Sequence, residues 1–314
     1  MNQELPLISI ALCTYNGSKY LPEQLDSLLN QTYPNLELVI QDDCSSDTTW
    51  DVLKQYEAQH PHIKLFRNNS NLGFQKNFES ILSKCSGEWI AISDQDDIWL
   101  PEKIETLYSL SEGNILVYHD SELVDENGES MNVFISDKLT FVSGKNPDPF
   151  LFFNCVSGHS MMFSKSLIAK VLPFPRDGFY DHWIAFVATH FGKIDFSEKA
   201  LVKYRQHDTN CTDLLGAKNK LEGLSHTQKR IERENKWLKV CADYQERNNI
   251  DGQAVKLYKA SKDRMDNYLN LEFGWTIWND RNQLLHIVKK NSFSRFFFAL
   301  RHIWGLKSKS FFKS

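Results

Sequence analysis

The stretch Ile90-Ala91-Ile92-Ser93-Asp94-Gln95-Asp96-Asp97 concentrates chemistry: an apolar run ends in three carboxylates within four positions. Side chains two apart on an extended segment point the same way, so Asp94 and Asp96 share one side as the chain leaves a buried strand. Like charges held together repel unless a cation sits between them. Hard carboxylate oxygens suit Mg²⁺ or Mn²⁺, ions that also grip phosphate oxygens. The pattern points to an enzyme that handles a nucleotide diphosphate.

The surrounding elements decide whether that reading has support. Leu7 to Thr14 is mostly apolar and reads as a buried strand, followed by Leu21, Leu25, Leu28 and Leu29 at helical spacing with Pro22 in the first turn. Leu36 to Ile40 is a second strand, and the polar loop Asp42-Asp43-Cys44-Ser45-Ser46-Asp47 follows, with Asp47 placed to cap a helix bearing Trp50, Leu53 and Tyr56. Ile63 to Phe66, a helix marked by Phe74, Phe78, Ile81 and Leu82, and Trp89 to Ser93 continue the alternation. Strand–helix repetition implies a mainly parallel sheet with helices on both faces. Ligands of such sheets bind beyond the carboxyl ends of the strands. Thr14-Tyr15-Asn16, Asp42-Asp43 and Asp94-Gln95-Asp96-Asp97 all fall there, on three separate strands.

Further along, Ile115 to Tyr118, Ser160 to Phe163 and Leu201 to Tyr204 read as strands, Glu126-Asn127-Gly128 as a turn and Trp183 to Thr189 as a short helix. From about Leu215 the texture changes. Leu221 to Gln245 is highly charged and helical in pattern, and Ala254 to Leu271 reads as one more helix.

These residues together resemble the family 2 glycosyltransferases, over roughly residues 6 to 210. The resemblance rests on Ala11-Leu12-Cys13-Thr14-Tyr15-Asn16-Gly17, Ile40 to Asp47 and Ser93-Asp94-Gln95-Asp96-Asp97, in that order, the last similar to the family's metal-binding DxD motif. It implies an α/β GT-A fold, the Rossmann-like nucleotide-diphospho-sugar transferase architecture, over residues 1–214, with a helical C-terminal extension over 215–314. It implies that Thr14, Tyr15, Asn16, Asp42, Asp43 and Gln95 surround the nucleotide, a carboxylate accepting the base N–H. Asp94 then lies near ribose and metal, and Asp96 is the more direct ligand of Mn²⁺ or Mg²⁺. Gln95 departs from the small residue common between the aspartates.

Three later segments extend the resemblance. Val156 to Phe163 is similar to the family's glycine-containing loop, where Gly158 would permit close approach to the sugar. Phe179-Tyr180-Asp181-His182-Trp183 is similar to the motif bearing the catalytic carboxylate, which makes Asp181 the candidate general base. Tyr204-Arg205-Gln206-His207 is similar to the segment that supplies a late histidine, so His207 is a candidate third metal ligand and Arg205 faces phosphate or braces the loop. The combination resembles a bacterial rhamnosyltransferase branch. It implies an inverting transfer of L-rhamnose from dTDP-L-rhamnose onto a surface polysaccharide or lipid-linked glycan. The alternatives are a UDP-hexose or UDP-N-acetylhexosamine donor, a catalytically silent sugar-nucleotide binder acting as an assembly partner, and a metal-dependent phosphohydrolase.

Each residue also has a plainer role to weigh. Asp42 and Asp43 suit turns, and Asp181 suits a helix cap. His182 and Trp183 read as packing or acceptor-wall residues, His119 and His159 as structural, and Arg67 and Lys76 as surface groups. The six scattered cysteines form no CxxC pair and read as small core residues in a reducing cytosol. A net charge of −4 and a pI near 6.2 argue against a nucleic-acid partner. Mean hydropathy of −0.44 suits a globular chain, and neither a signal peptide nor a bilayer-spanning run is visible.

After Asp280 no acidic residue occurs. Arg281, Lys289, Lys290, Arg295, Arg301, Lys307, Lys309 and Lys313 alternate there with Phe293, Phe296, Phe297, Phe298, Trp304, Phe311 and Phe312. Residues 281–314 are expected either to pack on the domain or a partner, or to lie on the anionic inner face of the cytoplasmic membrane. The charged helices before them are candidates for homodimer formation.

Overall fold

The computed structural model describes residues 5–207 and 224–311. The expected alternation is present as β1 (Ile8–Thr14), α1 (Leu21–Leu29), β2 (Leu36–Asp42), α2 (Thr49–Gln59), β3 (Ile63–Arg67), α3 (Phe74–Leu82) and β4 (Trp89–Ser93). There follow β5 (Ile98–Trp99), α4 (Lys103–Ser109), β6 (Asn114–Val124), β7 (Ser130–Phe134), α5 (Ile135–Lys138), β8 (Met162–Ser164), α6 (Ile168–Val171), α7 (Tyr180–Phe191) and β9 (Lys193–Arg205). The C-terminal helices are α8 (Leu224–Arg247), α9 (Gln253–Ser261), α10 (Leu271–Asn279), α11 (Arg281–Leu284), α12 (Ser292–Ile303) and α13 (Leu306–Phe311).

One nine-stranded sheet runs β3-β2-β1-β4-β8-β6-β9-β5, with β7 paired to β6. β1 is buried along its whole length, which explains its unbroken apolar run. It pairs in parallel with β2 on one side and β4 on the other, so the chain order reverses beside it. That reversal opens a crevice at the carboxyl ends of β1 and β4.

The second half of the sheet is mixed. β8 is antiparallel to β4 and β6 is antiparallel to β8, so two reversals restore the direction; β9 is then parallel to β6. The end of β9 at Arg205 therefore lies on the same sheet edge as the end of β4. The turn before β8 and the start of α7, which runs back to feed β9, reach that edge too. β1, β2, β3, β4, β6 and β9 run one way and β5, β7 and β8 the other, so the sheet is mainly parallel as expected.

Alternate side chains of the strands feed two hydrophobic layers. Ile8, Ile10, Leu12, Leu38 and Ile40 pack with Leu21, Leu25, Leu53, Ile104 and Leu107 of the helices on one face. On the other face Ala11, Val39, Ile90 and Ile92 share a layer with α3, α7 and the C-terminal helices, which contribute Trp237, Leu238, Leu257, Phe273 and Phe298. The boundary expected near residue 214 lies outside the described residues.

The helix expected from Ala254 to Leu271 is a correction. The chain leaves α9 at Ser261 and turns, because Arg264 is buried and its guanidinium meets the Glu234 carboxylate on α8 at 3.2 Å. A new helix then starts after Asn270, whose side chain accepts the Phe273 N–H. Among the described residues no helix is long and apolar enough to cross a membrane.

Candidate active site

The loops after β1 and β2 form a hydrogen-bonded frame. The Asp42 carboxylate accepts from Thr14 Oγ1 at 3.1 Å, Ser45 N at 3.0 Å and Ser45 Oγ at 2.5 Å, and pairs with Arg67 Nε at 3.1 Å. A carboxylate has about four acceptor positions, and the protein fills them. Buried Asp42 thus braces the loop, and Thr14 spends its hydroxyl on it. Asp43 is also buried, and it accepts from Asn68 Nδ2 and from the Leu72 and Gly73 N–H groups, each within 2.8 Å. It anchors the approach to α3. Asp47 accepts from the Thr49 N–H and from Ser18 Oγ, capping α2 and tying the two loops together.

Tyr15 and Asn16 face outward from this frame. Asn16 adopts a positive φ of 47°, which asparagine tolerates, and its Oδ1 accepts the Ser46 N–H. Gln95 reaches across from the acidic loop: its Oε1 accepts the Tyr15 N–H at 2.9 Å and its Nε2 donates to the Tyr15 carbonyl at 3.1 Å. A Cβ on Gly17 would lie 2.2 Å from that Gln95 oxygen, so glycine is required there for the approach. Gln95, expected among the nucleotide contacts, instead clamps the first loop with its whole amide.

The acidic loop is differently supplied. Asp94 and Asp96 are half-buried, and Asp97 is fully buried. Asp97 Oδ1 accepts the Arg205 N–H, but its Oδ2 has no hydrogen-bond partner. Burial, the Asp96 charge and the Asp181 charge push Asp94 up to about 7, with Lys103 opposing. Burial drives Asp97 well above the carboxylate range. Lys103, at the start of α4, is itself buried; its Nζ donates to the His159 carbonyl at 2.6 Å and lies 3.0 Å from the centre of the Trp99 ring.

His159, expected to be structural, completes this cluster. Its Nδ1 lies 3.9 Å from both Asp94 Oδ2 and Asp97 Oδ2, while Nε2 meets Ser121 Oγ at 3.0 Å. Burial and Lys103 lower its pKa to about 3, so the ring is neutral. In the tautomer that donates from Nε2 to Ser121 Oγ, Nδ1 presents its lone pair to the two carboxylates, the form a cation would select. The ligand atoms of Asp94, Asp97 and His159 lie within 4.8 Å of one another. An orphaned buried oxygen, two carboxylates and a neutral imidazole fit a divalent cation such as Mn²⁺ or Mg²⁺. The expected trio of Asp94, Asp96 and His207 is split: His207 Nε2 meets Asp96 Oδ2 at 2.8 Å, and its ring stacks on Tyr20 at 5.3 Å. His207, just past the end of β9, thus pairs with Asp96 on the loop after β4.

Arg205 stands behind the site. It is buried, with Nε donating to the Asp96 carbonyl at 2.8 Å, Nη1 to the Glu126 carbonyl at 2.9 Å and Nη2 to Glu23 at 2.5 Å. These contacts brace the loops around it. At Gly158 a Cβ would lie 2.1 Å from the Tyr180 hydroxyl, so the glycine makes room for that phenol.

Asp181 occupies the first turn of α7. Its Oδ1 accepts the His182 N–H at 2.7 Å. Burial raises its pKa to about 6, against the His182 N–H, its own N–H and Asn154. It lies close enough to Asp94 to raise that carboxyl, so two carboxylates from separate elements share one space. His182 is a packing residue: its ring lies 4.1 Å from that of Trp237 on α8, and Nε2 meets the Phe150 carbonyl at 2.5 Å. Trp237 also covers Gly178, where φ is +103° and a Cβ would lie 2.7 Å from the indole. The C-terminal helix α8 therefore walls the loop that delivers Asp181.

Comparison with known proteins agrees with this construction. Residues 9–171 match Glycosyl transferase family 2. An uncharacterized glycosyltransferase of Methanocaldococcus jannaschii, MJ1057, is 31% identical over 209 residues, covering 64% of this chain and 71% of that one. Among solved structures, S. aureus TarS 1-349 in complex with UDP-GlcNAc superposes with a TM-score of 0.61 at 16% identity, covering 98% of this chain and 91% of that one. The mannosyltransferase PcManGT from Pyrobaculum calidifontis, in complex with GDP-Man and Mn2+, gives a TM-score of 0.51 at 15% identity, covering 94% and 79%. The nine-stranded sheet with its crevice beside β1 is the GT-A architecture, and the chain belongs to the family 2 glycosyltransferases.

Proposed function

We propose that this glycosyltransferase is metal-dependent and inverting, and moves a hexosyl unit from a nucleoside diphosphate to a hydroxyl of a surface glycan or lipid-linked glycan. One observation carries the reading: Asp181, in the first turn of α7, stands near enough to Asp94 for its charge to raise that carboxyl, and burial raises its own to about 6. A base poised near neutral pH is suited to taking a hydroxyl proton. The acceptor oxygen attacks the anomeric carbon as its proton passes to an Asp181 carboxylate oxygen. The bond from that carbon to the donor phosphate breaks, and the nucleoside diphosphate leaves with the electron pair. Attack from the face opposite the leaving group inverts the anomeric centre.

The chain's own residues divide the remaining work. Asp94, Asp97 and His159, with Asp96 and His207 beside them, would hold Mn²⁺ or Mg²⁺, which when bound neutralises charge on the departing diphosphate. Gln95, Asp42 and Arg205 fix the loops that carry those ligands. Tyr15 and Asn16 are the outward-facing candidates for contact with the nucleoside, and the remaining acceptor position on Asp43 Oδ2 is a candidate for a base N–H.

For the donor, the glycine loop and the two later motifs favour dTDP-L-rhamnose. A UDP-hexose or UDP-N-acetylhexosamine is the second reading, favoured by the likeness to TarS with UDP-GlcNAc bound. A panel of dTDP-L-rhamnose and UDP-sugars, scored by thermal shift with and without Mn²⁺, separates the two. The mechanism is tested on Asp181→Asn, which keeps the metal-dependent shift and loses transfer. Unchanged transfer in that variant would remove Asp181 from the role of base.

A further inference from the structure

The C-terminal helices present an apolar surface that catalysis does not use. On α12, Phe293, Phe296, Phe297 and Leu300 recur at helical spacing on one side, while Phe298, Ala299 and His302 are buried on the other. A soluble helix ordinarily has one apolar face; α12 has two. On α10, Leu271, Trp275 and Trp278 form a matching outward stripe. The two helices approach closely because residue 274 is glycine: a Cβ there would lie 2.2 Å from the Ile303 side chain. Trp278 and Phe296 meet edge to face at 5.5 Å, joining the stripes across a groove of about 520 Å³. Phe293 is 72% exposed and Trp275 65% exposed, so the patch stands proud of the surface.

The charges beside it select the occupant. No acidic residue follows Asp280, and Arg281, Lys289, Lys290 and Arg301 flank the aromatic stripe in sequence. Arg281 lies over the Trp278 ring at 4.0 Å and Lys289 is exposed, while Lys290 and Arg301 lie over the Phe298 ring on the other side of α12. Glu272, on the groove's rim, sits in the first turn of α10, where a carboxylate complements the helix dipole. Two copies meeting through this face would bring like charges together. An anionic bilayer supplies both needs: headgroups for the cations and acyl chains for the aromatic rings.

We infer that the α10–α12 face is a peripheral docking surface for an anionic lipid bilayer. The inference stands apart from the identity of donor or acceptor. It is tested on the full chain by flotation with vesicles of 30% phosphatidylglycerol in phosphatidylcholine, against pure phosphatidylcholine, with light scattering of the protein alone. Wild type floats with the anionic vesicles and stays behind with the neutral ones. Phe293→Ser with Phe297→Ser, both exposed positions, lowers the bound fraction at least tenfold while the melting temperature and donor-dependent thermal shift are kept. Lys289→Glu, at an exposed position, also lowers the bound fraction with the melting temperature kept. No flotation of wild type, equal flotation on neutral vesicles, or equal flotation of the variants overturns the inference. A wild-type dimer that the Phe variants convert to monomer also overturns it, and makes a second copy the occupant.

Discussion

The chain holds two acidic loops at neighbouring strand ends, and they are built to opposite ends. The loop after β2 has its carboxylates well supplied: Asp42 meets four protein donor groups and is filled, and Asp43 meets three, which leaves one position on Oδ2. The loop after β4 leaves Asp97 Oδ2 without a hydrogen-bond partner and holds Asp94 and Asp97 beside Asp96, which with burial raises the pKa values of Asp94 and Asp97. Both read alike in sequence, as aspartates at the end of an apolar run. What separates them is the number of donors supplied. A carboxylate whose acceptor positions are filled holds the fold; one left short is available to a cation, a proton or a substrate.

The comparison breaks most visibly through the short-changed group. Asp181→Asn should lower transfer by about 10²–10⁴-fold, measured as nucleotide release with donor and acceptor present, with the metal-dependent thermal shift retained. Asp42→Ala should act on the other side of the ledger. It strips partners from Thr14, Ser45 and Arg67 at once and should cost about 3 kcal/mol of unfolding free energy, read from denaturant titration. A loss of transfer in Asp42→Ala with stability unchanged would reverse the contrast between the loops.

pH sharpens the same point. The fold raises Asp94 from 3.8 to about 7, so the stability tied to its neutral form is complete below the unfolded value and is lost as pH climbs through 7. A cation favours the ionised form. Mn²⁺ should therefore raise the melting temperature more at about pH 8 than at about pH 5, by a few degrees, and Asp94→Asn should abolish the difference. The transfer rate should show an acid limb near pH 6, falling as Asp181 takes up its proton. The smallest effect is expected at Gln95→Ala, which removes two neutral hydrogen bonds on a half-exposed loop and should cost about 1 kcal/mol.

The sequence made the framework legible because its signals were local. β1 to β4 and their helices follow from apolar periodicity, and the common sheet edge follows from alternation. The site needed pairings that periodicity does not encode. Lys103 opens an amphipathic helix, where lysine ordinarily faces solvent, and nothing local marks it as buried beside Asp94 and Asp97. His159 sat within the glycine loop, yet its approach to the cluster depends on β8 reversing direction next to β4. The Arg205 contact with Glu23, 182 residues away, is of the same kind: nothing local to either residue marks it. The break after α9 was hidden for the same reason: Arg264 turns the chain to reach Glu234.

Trp237 has a consequence for how such enzymes are inherited and recombined. The indole that covers Gly178 and His182 comes from α8, beyond the stretch that carries the family signature. A chimera that took residues 9–171 from one relative and the rest from another would part Asp181 from the Asp94 cluster and cut across the hydrogen bond that Trp237 Nε1 donates to the Phe150 carbonyl. The heritable unit of catalysis is longer than the segment by which the family is recognised, and grafts should keep the signature and α8 from one parent.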